Sequence, residues 1–170
     1  MRFALLAVII IFSASVIHSQ NRSIYTGLSE KDCRTLEATD EEGGSYRGVC
    51  PGVGGYKLEL LEGDLRQSIN VVDPKGTKHE LKFWEMFGGF SSVGPRAEWR
   101  MKGKTPVALI VRFNVSENPE DSTKITSYLV VIKITPSDIC VTDALKPTRS
   151  HNAEARGAAD RSAKKRCRLE

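Results

Sequence analysis

Three carboxylates stand where an acid–base pair could be assembled. Glu62 and Asp64 flank Gly63, and Glu98 sits beside Trp99 and Arg100. Two acids facing a glycosidic bond are the minimum for glycoside hydrolysis. Acids at turns also serve the local backbone, and Asp64 next to Arg66 reads as the organised end of a hairpin. The histidines offer less. His79 lies beside a turn signal between Lys78 and Glu80, and His151 opens a C-terminal segment. Both read as solvated. No G-x-S-x-G elbow is present to present a serine nucleophile. The run Asp40-Glu41-Glu42 lacks the spacing of a calcium loop. Cys50-Pro51-Gly52-Val53-Gly54-Gly55 lacks the Gly-Lys-Ser/Thr of a phosphate loop and reads as a tight bend. No catalytic residue, metal site or cofactor is assigned.

Binding chemistry is better supplied. Trp84, Arg96, Glu98, Trp99 and Arg100, with Asp64 and Arg66, form a candidate binding surface, because Trp and Arg concentrate at interface hot spots. Phe87 and Phe90 are assigned to the core. A second basic surface lies on a C-terminal helix carrying Arg156, Arg161, Lys164, Lys165 and Arg166. Its apolar face is alanine, so it lacks the large side chains that insert into a bilayer. Weak electrostatic contact with an anionic surface is compatible with it. The acidic stretch around Glu37, Asp40, Glu41 and Glu42 is an internal alternative partner. The net charge of +4 is too small to demand nucleic acid.

The N-terminus sets the compartment. Met1-Arg2 precedes an apolar run, Phe3 to Phe12, and then the small residues Ser13, Ala14 and Ser15. This is the layout of a secretory signal peptide, and about ten apolar residues fall short of the roughly 20 needed to span a bilayer. Small residues at Ser15 and Ser19 both permit cleavage. Residues 1–19 are assigned to the signal and 20–170 to one domain. No transmembrane segment is expected after cleavage. Export makes the cysteines readable: Cys33, Cys50, Cys140 and Cys167 imply two disulfides. Sequential pairing closes the shortest loops. Zinc is disfavoured, because no C-x-x-C cluster or nearby histidine occurs.

The elements that must position these residues are mostly strands. Tyr56, Leu58 and Leu60 alternate with Lys57 and Glu59, and Ile69 and Val71 alternate with Ser68 and Asn70 beyond a turn. Period-two patterning across a turn predicts a hairpin. Asp73-Pro74-Lys75-Gly76 is another turn signal. Glu98 to Met101 is a short strand candidate. Val107 to Val115 is apolar except at Arg112 and Asn114, and Ser127 to Thr135 is apolar except at Lys133. Such runs predict central strands buried on both faces. Ile139 to Val141 adds a short strand. At the C-terminus, Ser150 caps a helix with Glu154 in its first turn and Lys164, Lys165 and Arg166 in its last, the polarity that suits a helix dipole. Ala155, Ala159 and Ala163 make a slanted stripe for close packing.

These landmarks resemble a family of small exported proteins of proteobacteria to which no activity is attached. The matching pieces are Tyr25-Thr26, Cys33, Cys50-Pro51-Gly52-Val53-Gly54-Gly55-Tyr56, Glu62-Gly63-Asp64-Leu65-Arg66, Glu98-Trp99-Arg100, and Ala155-Arg156 with Ala159-Asp160 before Cys167. They span nearly the whole mature chain. The resemblance implies a periplasmic, disulfide-bonded protein and supplies no catalytic residues. The family pattern has an aromatic just before the last cysteine, where Lys164-Lys165-Arg166 stand here.

The expected fold is α+β: an antiparallel, barrel-like sheet of about six strands with a C-terminal helix and two disulfides. The expected function is a non-catalytic binding module, periplasmic or secreted, acting on an unknown protein or envelope ligand. An inhibitor of a hydrolase such as lysozyme falls in this class by analogy of size and compartment. The alternatives are an envelope-polymer hydrolase using the acidic residues, and a structural envelope protein adhering through the basic helix.

Overall fold

The computed structural model describes residues 21–40, 43–118 and 120–169. The signal-peptide assignment at 1–19 lies outside them. Ten strands run in order: β1 Arg22–Gly27, β2 Arg34–Thr39, β3 Ser45–Pro51, β4 Lys57–Gly63, β5 Arg66–Val72, β6 Lys78–Glu80, β7 Ser91–Lys102, β8 Thr105–Ser116, β9 Ile125–Ile134 and β10 Ile139–Leu145. A short helix α1, Phe83–Met86, precedes β7, and α2, His151–Asp160, follows β10.

The strands form one open mixed sheet ordered β10-β9-β8-β7-β5-β4-β3-β2, with β1 paired to β7 and β6 to β5. Pairing is antiparallel except at one point, the parallel bridge Arg66–Ser91 between β5 and β7. The expectation of about six antiparallel strands in a barrel is therefore corrected: there are ten, the sheet is mixed, and it stays open. The missed strands have little apolar patterning. β2 is exposed along its whole length, and β1 has no buried residue. They are edge strands, held by ladder hydrogen bonds and side-chain anchors more than by burial.

The long apolar runs are buried on both faces, as their composition demands. On one face Leu109, Val111, Phe113 and Val115 of β8 and Tyr128, Val130 and Ile132 of β9 meet Leu58, Leu60, Ile69 and Val71 from the other half of the sheet. Trp99 and Phe83 are fully buried in the same core. On the other face Ala108 and Ile110 of β8 and Leu129 and Val131 of β9 receive Ala155, Ala158 and Ala159 of α2. Alanine without a longer side chain lets the helix axis lie close to the strands.

The helix is shorter than its charge pattern predicts. It ends at Asp160, a separate 3-10 turn covers Ser162–Lys164, and Ala163 is exposed. Lys164, Lys165 and Arg166 are thus not in its last turn. The cause lies downstream. Cys167 is bonded to Cys140 of β10, and the Arg168 N–H donates to the Val141 carbonyl at 2.9 Å. The chain must leave the helix to reach that strand. The second disulfide joins Cys33 to Cys50, so sequential pairing holds and both bridges fit an oxidising, non-cytoplasmic environment. Among the described residues no helix is long and apolar enough to cross a membrane.

Candidate functional site

One irregularity in β7 builds the site. Val93 pairs with Phe113 and Ala97 pairs with Val111, so Gly94, Pro95 and Arg96 oppose the single residue Arg112. Pro95 has no N–H to give the ladder, and its carbonyl accepts from the Leu28 N–H at 3.0 Å. Bulges of this kind occur beside functional sites because they re-aim side chains. Here the bulge turns Arg96 outward. A Cβ on Gly94 would stand 2.7 Å from the Cβ of Arg112, so glycine is what allows the Arg112 stem to pass.

The result is a cleft of about 420 Å³ between the bulge, β8, β9 and the start of α2. Its rim carries Arg96, Arg112, Arg156, Tyr25 and Asn152; Pro95, Ile110 and Leu129 supply apolar wall, and Glu98 sits at its edge. The three arginines differ in their partners. Arg156 donates through Nε to Glu98 at 2.7 Å and through Nη2 to the Tyr25 hydroxyl at 2.9 Å. Arg112 donates through Nη1 to the Ser127 hydroxyl at 2.9 Å. Among the described residues, neither Arg96 nor Arg112 has a carboxylate within ion-pair distance, so one carboxylate faces three guanidinium groups.

Behind the cleft lies a polar network that fixes its wall. Arg100 is buried and grips Asp160 at the end of α2 with two bonds of 2.8 Å, Nε to Oδ1 and Nη2 to Oδ2. It also donates to the Ser23 hydroxyl and to the Asn21 carbonyl, both at 2.6 Å. The Asn21 amide donates to Asp160, and Ser23 donates onward to Glu98. Edge strand β1, central strand β7 and helix α2 are thereby tied at one point. Burial raises the pKa of Glu98, but the hydrogen bonds from Arg156, Ser23 and Tyr25 outweigh it and hold the carboxyl below its usual range. Asp160 is lowered in the same way: burial opposes, while Arg100 and Asn21 prevail.

The residues expected from sequence divide into three groups. Arg96, Glu98 and Arg156 come together in the cleft. Arg100 was expected on the surface and is buried, an ion pair behind the cleft. Trp99 was expected there too, but its side chain points to the opposite face of β7, fully buried, with Nε1 donating to Thr26 at 2.9 Å. Period-two alternation forces this: with Glu98 and Arg100 on one face, Trp99 takes the other. Trp84 is exposed on α1, while Asp64 and Arg66 form a 2.8 Å ion pair at the β4–β5 turn. None of these three lines the cleft.

The basic segment is dispersed. Lys165 pairs with Asp143 at 2.6 Å, and Arg161, Lys164 and Arg166 are exposed beyond the helix. Among the described residues of the acidic N-terminal stretch, Glu37 pairs with Arg47 and Asp32 accepts from Ser29, neither with the basic segment. Phe90 was assigned to the core and is half exposed, because it sits at a loop tip where only its backbone is fixed. His151 is buried against the Leu145 carbonyl at 3.0 Å instead of solvated. His79 lies on β6, partly buried, 3.3 Å from Asp73.

Sequence reasoning missed Arg112, Tyr25, Asn152 and Gly94 as site residues. Two signals existed. Arg112 and Asn114 interrupt an apolar run at same-face positions, and Gly94-Pro95 punctuates a strand. Among the described residues no group of three or more His, Cys, Asp or Glu side chains is placed to hold a metal ion. No known protein family, curated protein or solved structure matches the chain.

Proposed function

We propose that this protein is a non-catalytic binding module, exported to the periplasm or beyond, whose cleft takes an anionic group. The observation that carries the reading is the unbalanced charge of the cleft: Arg96 and Arg112, without carboxylate partners among the described residues, converge with Arg156 on one concavity. The guanidinium fork matches carboxylate and phosphate oxygens, and such charge-assisted bonds are about twice as strong as neutral ones. The Glu98–Arg156–Tyr25 chain holds one arginine in place, so less side-chain entropy is lost on binding. The volume falls within the range of small-ligand sites, roughly 300–1,000 Å³. An acidic side chain of a partner protein, a hydrolase included, meets the same requirement.

The acid–base alternative is less well supported. A general acid needs a pKa raised towards the working pH. Glu98 is lowered, and Glu62 is engaged by Gln67 at 2.6 Å on a different strand. Adhesion through a basic helix is less well supported, since only Arg156 of the five named cations lies within α2 and Lys165 is paired with Asp143, while Arg161, Lys164 and Arg166 stand exposed beyond it.

Calorimetric titration with inorganic phosphate and with glutarate tests the proposal. Binding is expected to weaken as salt rises, and to weaken at least fivefold in Arg112→Gln and again in Arg96→Gln. Binding of equal strength in the double variant overturns it.

A further inference from the structure

The helix leaves half of its sheet face uncovered, and the uncovered half has an order to it. Outward-facing pairs on β8 and β9 succeed one another as Ala108–Lys133, Ile110–Val131, Arg112–Leu129, Asn114–Ser127 and Ser116–Ile125. The first two rows and Leu129 of the third lie under α2. The residues outside it, Arg112, Asn114, Ser127 and Ile125, change from cationic through polar to apolar, with Ser116 buried opposite Ile125.

The side chains of these rows are joined. Arg112 donates to Ser127, Ser127 donates to the Asn114 carbonyl oxygen at 2.8 Å, and the Asn114 amide donates to Ser92 at 3.4 Å. Ser92 and Asn114 then line a second depression of about 350 Å³, walled by Leu65, Phe90 and Ile125. These three are 58%, 49% and 54% exposed. Leu65 stands out further. Its φ is +57° and that of Asp64 is +53°, in the two-residue turn between β4 and β5. Asn-Gly or Asp-Gly suits that turn, and a branched residue in the left-handed region carries strain. Strain retained at an exposed position is an observation that points to use.

Resting on the anionic reading of the arginine cleft, we infer that the cleft and this depression are two ends of one groove, and that its occupant is an extended segment of a partner protein with an acidic residue at one end and a bulky apolar residue four positions away. Arg112 and Ser116 are four residues apart on one strand, ~13 Å at about 3.3 Å per residue. An extended peptide has the same rise, so its residues i and i+4 reach both ends. Charge complementarity fixes the acidic end against Arg96, Arg112 and Arg156. The middle rows favour peptide over an amphiphile: an acyl chain laid across Asn114, Ser127 and Ser92 would strip water from them without returning hydrogen bonds. Leu65, Phe90 and Ile125 together suit an aliphatic or aromatic side chain better than a sugar ring.

Fluorescence polarisation with labelled, end-capped hexapeptides tests this on the mature chain. One pair of probes places aspartate and leucine four positions apart, in both directions. Control probes of the same composition place them adjacent. At least one spaced probe is expected to bind tenfold more tightly than the adjacent controls. Ile125→Ser and Leu65→Gly are expected to remove at least fivefold of that affinity while leaving phosphate binding unchanged. Leu65→Gly relieves the turn, so its melting temperature, expected not to fall, separates lost contact from lost folding. Equal binding of spaced and adjacent probes, or tighter binding of an acidic trisaccharide or an anionic micelle than of every peptide, overturns the inference. If phosphate binding then still depends on Arg112, the anionic cleft stands alone; if Arg112→Gln affects neither ligand, both readings fail.

Discussion

Replacing Arg100 by Met tests whether the polar network holds the cleft wall together. The guanidinium is buried and makes four donated bonds, two to Asp160 and one each to Ser23 and Asn21. Methionine fills much of the volume and keeps none of them. Breaking a buried ion pair by removing one partner costs about 3–5 kcal/mol, because the other charge is left without compensation. Asp160 retains 33% of its side-chain exposure, so water recovers part of that loss. The expected cost is therefore about 2–3 kcal/mol, and a domain of this size converts each kcal/mol into roughly 2–4 °C of melting temperature. Thermal unfolding followed by Trp99 fluorescence reads the total. Hydrogen exchange reads the location: amides of Ile24 and Thr26 on β1 should exchange faster, while those of Val130 on β9 change only with global stability. Arg100→Met with Asp160→Leu should recover part of the loss, since no charge is then stranded. A single-variant cost under about 1 kcal/mol, with β1 exchange unchanged, refutes the assignment of Arg100 as the tie between β1, β7 and α2.

Three further outcomes are expected. Gly94→Ala places a Cβ 2.7 Å from that of Arg112 and should cost about 1–3 kcal/mol while weakening phosphate binding, checked by denaturant titration and calorimetry on one preparation. Acidification should destabilise the fold: Glu98, Asp160 and Glu59 all have folded pKa values lowered from the usual range, so their contribution is full above the unfolded carboxylate values and is lost as pH falls through the folded ones. Urea midpoints should therefore drop progressively below about pH 5. Removing the Cys140–Cys167 bridge by a double serine substitution opens a loop of separation 27, which chain-entropy reasoning values at about 3–4 kcal/mol, and should free the Arg168 amide from Val141 in hydrogen exchange.

The central strands and the bridges were legible because each rests on a strong local signal. Runs such as Leu109 to Val111 and Leu129 to Ile132 have no polar face, and four cysteines have only three ways to pair. The helix was legible in its start and in Ala155 and Ala159 of its buried face, while Ala158 completes that face and Ala163 lies exposed beyond the helix. Its end was not, because charge on Lys164 to Arg166 mimics a dipole-matched last turn while the disulfide to Cys140 pulls those residues away. β1 and β2 were not legible because their stability comes from partners: Ser23 and Asn21 from Arg100, and β2 from its ladder to β3. Of the site, Arg96, Glu98 and Arg156 could be named from residue type. Arg112 could not be joined to them, since a bulge that skips two residues brings positions 96 and 112 opposite each other and no spacing in the sequence encodes it.

The charge of the molecule locates the site only after its ion pairs are removed. Arg156 and Arg100 are answered by Glu98 and Asp160, Lys165 by Asp143, Lys133 by Asp138 and Arg47 by Glu37. A basic C-terminal segment counted along the chain is thus partly neutralised in space. Arg96 and Arg112 sit in the middle of strands, where a count along the chain gives them no weight, yet their positive charge is uncompensated among the described residues and concave. Concavity matters because low-dielectric walls focus the field of a charge that would be screened on an open surface. The same argument ranks the two tests of the anionic cleft. Neutralising Arg166 changes net charge by one and should leave phosphate affinity within about twofold, since it is exposed, does not line the cleft and is screened by salt. Neutralising Arg112 changes net charge by the same amount and should remove most of the binding. Equal effects from the two substitutions would mean that overall charge, and not the cleft, attracts the ligand.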